Sequence, residues 1–149
     1  MINPHFDDDD DLLDESSGLV AIEQAWDEVF GQMREAFAAR DYARAVDVGE
    51  RFLAKHEDHA AARTFVQECR VIFEKRIAKE LEPLDRVVVL SAPLDALAGR
   101  SIEPRIAFVL SRVDDATTIE DLVDLSGMSR VDALRTISEC IARGLVTVR

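Results

Sequence analysis

Apolar residues recur every three or four positions through the first half of the chain, and this period predicts helices rather than strands. Between Ser17 and Arg40 the stripe runs through Val20, Ile22, Ala25, Trp26, Val29, Phe30, Met33 and Phe37, with Ser17 as a capping hydroxyl. A second helix is predicted from Asp41, with Tyr42, Ala45, Val46, Val48, Phe52 and Leu53 inward, ending near Lys55 to His59. A third spans about Asp58 to Leu81 through Ala61, Phe65, Val66, Cys69, Ile72, Phe73, Ile77 and Leu81. The connections are short, so neighbouring helices should pack antiparallel. The first stripe is wider than two short neighbours need, and its surplus predicts a partner groove or a homodimer face.

The period breaks at Glu82-Pro83, because proline cannot continue the helical hydrogen bonds. Arg86 to Leu90 is a β-branched run, and Ser91 to Pro104 is turn-rich, with one helical turn expected around Leu94 to Leu97. From Ile106 the pattern reads helix, a short extended Ala116-Thr117-Thr118, helix, turn, helix and a terminal strand, Leu145 to Arg149. Thr118 with Asp121 and Ser129 with Asp132 have the spacing of capping boxes, and Gly127 and Gly144 stand where two helices stop. The fold class expected is mainly α. It consists of an acidic tail (1–17), a three-helix repeat-like unit (18–82), a linker with a short strand (83–104), and a small C-terminal module (105–149) with one or two short strands.

Two stretches resemble known families. Asp41, Tyr42, Ala45, Val46 and Leu53 resemble the second helix of a tetratricopeptide repeat, while Met33, Gly49, Phe52 and Glu57 depart from it. Only one such unit is visible, and solenoids need about three repeats, so repeat-like packing is expected rather than an array. Residues 105–149, with Gly144-Leu145-Val146 after the third helix of the module, resemble the winged-helix domains of bacterial regulators. That resemblance implies the fold, and the fold alone does not imply DNA binding. A sequence-reading winged helix needs basic or amide side chains on its third helix and a basic wing. Here Arg130, Arg135 and Arg143 are offset by Asp132 and Glu139, and the one strand that follows leaves the wing without a returning partner.

Charge pushes the same way. The net charge is −12, with residues 1–82 carrying 10 Lys and Arg against 20 Asp and Glu, and residues 83–149 carrying 8 against 10. Nucleic-acid affinity comes largely from cations that displace condensed counterions, so nucleic acid is not the expected partner. No apolar run reaches the roughly 18 to 20 residues of a membrane span, and the acidic start is unlike a signal peptide, so membrane insertion is not expected and the location expected is cytoplasmic. Cys69 and Cys140, inside helical patterns, are expected to be reduced.

No metal, cofactor or catalytic constellation emerges. His56 and His59 have the spacing of two ligands on one helix face but lack a third ligand cluster, the Asp7 to Asp11 run lacks the glycine and spaced acceptors of a calcium loop, and no nucleophile stands beside a base. The expected activity is therefore non-enzymatic: an adaptor or regulatory scaffold acting through helical surfaces on another protein, possible partners including one with a basic surface or a second copy of the chain. The alternative is a transcriptional regulator that binds DNA as a dimer. The partner-binding residues expected are Phe6, Asp9, Leu12 and Leu13 in the acidic start, and Asp132, Arg135, Thr136 and Glu139 on the third helix of the C-terminal module. For the acidic start two readings stand, a linear docking motif or a solvated tail.

Overall fold

A computed structural model describes residues 6–149, with side chains from Ser17 onward except that of Ala98. Among these residues the chain is mainly helical, with seven helices and one two-stranded antiparallel sheet. The helices are α1 (Phe6–Ala38), α2 (Tyr42–Lys55), α3 (Ala60–Leu81), α4 (Leu94–Ala98), α5 (Pro104–Ser111), α6 (Ile119–Leu125) and α7 (Arg130–Ala142), and the strands are β1 (Val88–Leu90) and β2 (Val146–Val148). The chain divides into two compact units, one ending at Cys69 and one from Arg70 to Arg149, so the boundary falls inside α3 rather than at Pro83.

In the first unit α1 packs along α2, and the stripe read from the sequence supplies the core through Trp26, Met33, Ala36, Ala45, Val46 and Phe52. Trp26 is its hub. Its ring lies 5.7 Å from Phe30, 5.3 Å from Phe52, 5.3 Å from His59 and 6.4 Å from Phe65, the offset and edge-on distances that aromatic quadrupoles favour. Met33 and Gly49, two positions that depart from the repeat pattern, meet in this core. A methyl group placed on Gly49 would collide with Val66 Cγ2 and with Met33 Cε at 2.7 Å. The large residue of α1 therefore fills the room left by the missing side chain on α2.

The turn between α1 and α2 is set by hydrogen bonds. The N–H of Asp41 donates to Ala36 (2.8 Å) and that of Arg40 to Phe37 (3.0 Å), with Arg40 at φ 61°. This is the Schellman arrangement, here with arginine in the left-handed position that glycine usually fills. Asp41 Oδ1 then accepts from the N–H of Arg44 and caps α2.

α1 begins at Phe6, so helical backbone covers most of the segment that composition alone predicts as a tail. The first turns of a helix favour acidic residues because the exposed N–H groups carry partial positive charge, and that effect opposes the self-repulsion of Asp7 to Asp11.

The second unit is a three-helix core, α5 to α7, with α7 buried along Val131, Ala133, Leu134, Thr136, Ile137 and Cys140. β1 pairs with β2 antiparallel, with Val88 opposite Val148 and Leu90 opposite Val146. On its other edge β1 meets the extended pair Thr117-Thr118: the N–H of Val88 donates to Thr117 O (2.9 Å) and that of Ile119 to Arg86 O (3.1 Å). The terminal strand thus finds its partner upstream, in what the sequence reads as a linker. Residues 83–104 belong to the C-terminal unit, and their Val88 and Leu97 are buried in its core. The helix ends follow local chemistry. Thr118 and Asp121 form a complete capping box, both bonds at 3.1 Å. The second pair forms half of one: Ser129 Oγ accepts from the N–H of Asp132, while the Asp132 carboxylate accepts a hydrogen bond from the Ser129 hydroxyl (2.8 Å) rather than from a backbone N–H. Gly144, at φ 70°, closes α7 and lets Leu145 fold back to bond Cys140 O (2.9 Å).

Candidate interaction surface

α7 carries four of the residues expected to bind a partner, and the structure separates them. Thr136 is not available: it is 1% exposed, and its hydroxyl donates to Asp132 O (2.7 Å). In helices threonine satisfies its hydroxyl on the preceding turn, so a polar residue type here covers a core position. Asp132, Arg135 and Glu139 are half-buried. Phe6, Asp9, Leu12 and Leu13 fall where side chains lie outside the described residues.

The start of α7 is held by charge partners from the C-terminal part of α3 and from α6. Arg130 donates to both oxygens of Glu120 (2.6 and 3.2 Å), a bidentate geometry, and its Nε lies 3.3 Å from Glu74. Arg70 donates to Ser129 Oγ (3.1 Å) and stands 3.9 Å from Asp132. The Arg135 guanidinium lies 5.8 Å from the centre of the Phe73 ring, where the negative π face attracts a cation. Arg143 at the far end donates to Ser101 O (3.4 Å). The hydrogen bond from Arg130 is the main reason that the Glu120 carboxyl titrates below its usual range and the Arg130 guanidinium above its own. Arg130 at the start of α7, Arg135 in its middle and Arg143 at its C-cap are thus all engaged inside this unit. Sequence reasoning missed Arg70 and Glu74, because their spacing along α3 is indistinguishable from that of any solvated helix face, and it read Phe73 only as a core position.

Three other features bear on chemistry. Asp114, Asp121 and Asp124 surround a shallow depression with Thr117, and the Thr117 hydroxyl donates to Asp114, holding that carboxyl below its usual range. Cys140 is fully buried, and desolvation pushes its thiol up to about 11, which makes it a poor nucleophile near neutrality. His56 and His59 do not share a helix face. His56 ends α2, whereas His59 sits before α3, with Nδ1 accepting from the N–H of Ala62 (3.1 Å) and Nε2–H donating to Glu23 (3.2 Å). His59 thereby takes the place of an N-cap side chain. Among the described residues no group of three His, Cys, Asp or Glu is placed to hold a metal ion, and no helix is long and apolar enough to cross a membrane.

The groove between α1 and α2 has a different character. Ala25, Val29, Val48 and Phe52 floor it, with Gln32 beside them, and Arg51, Lys55 and His56 form one rim. Among its lining residues none is acidic.

Compared with protein families, curated proteins and solved structures, the chain has no match.

Proposed function

We propose that the protein is a non-enzymatic adaptor or regulatory scaffold that binds another protein through its helical surfaces, in the cytoplasm, and that its C-terminal unit is a winged-helix-like module turned away from DNA. One observation carries the reading: Arg130, Arg135 and Arg143 are engaged with Glu120, Glu74, Phe73 and Ser101 O. Groove entry would require breaking the bidentate Arg130–Glu120 pair and uncovering the start of α7 from α3. A chain of net charge −12 has little phosphate attraction to set against that cost.

The experiment is a pull-down from lysate with the tagged full-length chain, run with and without nuclease. Specific protein capture that survives nuclease supports the adaptor. Capture that disappears with nuclease, together with a salt-sensitive shift of duplex DNA by the purified chain, overturns it in favour of a DNA-binding regulator.

A further inference from the structure

The α1–α2 groove is a cationic, apolar-floored surface in a strongly acidic first unit. Val48 and Phe52 are buried at its base, Ala25 and Val29 are half-buried on the α1 side, and Arg51 and Lys55 are exposed on the rim. Arg51 donates through Nε to its own backbone at Asp47 O (3.3 Å), which leaves the remaining guanidinium N–H groups available as donors to an acceptor. An occupant that satisfies this surface needs apolar side chains for the floor and carboxylates for the rim.

The chain contains a segment of that chemistry. Residues 6–15 set Phe6, Leu12 and Leu13 among Asp7 to Asp11, Asp14 and Glu15, with no lysine or arginine between them. Its own groove is out of reach. α1 is one continuous helix from Phe6 to Ala38, so Phe6 stands about 28 Å along the axis from Ala25, at about 1.5 Å per residue, and the helix leads away from the groove. A second molecule meets no such restriction.

We propose that the groove between α1 and α2 receives the acidic segment, residues 6–15, of a second copy of this chain, so that the protein associates head to tail. Carboxylates of one copy face Arg51, Lys55 and His56 of the other, and the apolar residues of the segment cover Val29, Val48 and Phe52. Because donor and acceptor surfaces lie at different places on the chain, each copy offers one of each, and the contact is heterologous. The proposal is independent of the lysate partner. It concerns the purified chain alone, so its failure leaves the adaptor reading standing and the reverse also holds.

The test is complementation between two full-length variants, followed by sedimentation velocity from about 10 µM to 1 mM, the span in which weak interfaces half-associate. The first variant, Arg51→Glu with Lys55→Glu, keeps the segment and reverses the rim. The second, with Asp7 to Asp11 each replaced by Asn, keeps the groove and neutralises the segment. All these substitutions are outside the described core, and circular dichroism checks that both variants stay helical. The wild-type chain should associate, and each variant alone should weaken association at least about 10-fold, since attractive pairs are lost or become like-charge contacts. Mixed together, the two should recover wild-type affinity in a complex that stops at one copy of each. A monomeric wild type across the whole range overturns the proposal, as does association that survives in either variant or a mixture that stays monomeric.

Discussion

Gly49 shows how much one residue decides. Glycine inside an exposed helix costs about 1 kcal/mol relative to alanine, so helix propensity alone favours Gly49→Ala. In the structure the added methyl meets Val66 Cγ2 and Met33 Cε, both buried, and Val66 is β-branched and stiff. Overpacking costs about 1 to 3 kcal/mol and wins. The expected outcome is a net loss of stability by urea denaturation, partly restored when Val66→Ala is added. A gain would show that the core has room. On α7, Leu134 is fully buried while Arg135 leans on Phe73. Leu134→Ala should cost about 2 to 5 kcal/mol, and Arg135→Ala about 0.5 to 1 kcal/mol, through its ring contact. The same denaturation series checks both, and equal losses would mean that α7 is turned differently.

At the scale of elements, ends and edges carry the information. Arg40 occupies a left-handed position at the end of α1, where a side chain costs roughly 1 kcal/mol and glycine costs none. Arg40→Gly should therefore raise stability by up to about 1 kcal/mol, less the entropy glycine adds to the unfolded chain, measured as a higher denaturation midpoint at unchanged slope. Strand β1 makes a larger claim. It stands between β2 and Thr117-Thr118, so removing it exposes two edges and uncovers the core beneath Val88. A fragment of residues 104–149 should show no cooperative thermal unfolding, because it lacks β1 and the Leu97 side chain. A fragment of residues 70–149 should unfold in one transition. Cooperative unfolding of the shorter piece would make β1 an ornament.

Over the whole molecule, charge sets what the chain can approach. With a net charge of −12 and the arginines of α7 engaged internally, binding to random duplex DNA at about 0.15 M salt should be no tighter than roughly 10⁻⁴ M, the weak end of non-specific binding. Fluorescence anisotropy measures it, and a micromolar affinity that falls steeply with salt would contradict it. Glu120→Gln with Glu74→Gln releases Arg130 without reversing any charge. If engagement alone restrains DNA binding, affinity should rise in that variant, whereas an unchanged value assigns the restraint to the overall charge.

Local patterns along the chain determined the helices and their stops. The period of Trp26, Phe30, Met33 and Phe37, the proline after Leu81, the hydroxyls at Thr118 and Ser129 and the glycines 127 and 144 act within one or two helical turns, so neighbours in sequence suffice to specify them. A reading of local pattern suffices as well for Val131, Leu134 and Ile137, which stand three residues apart and are buried, since one face of an amphipathic helix repeats every three or four residues. It misplaced Thr136, because residue type says that a hydroxyl prefers water while its own preceding turn can satisfy it. Pairings across long separations belonged to tertiary structure alone. That Val88 would lie opposite Val148, that Glu74 and Glu120 would close on Arg130, and that Met33 would fill the space above Gly49 follow from elements meeting in three dimensions. No period along the chain records which faces meet, because many partners satisfy one apolar stripe and only mutual packing selects among them.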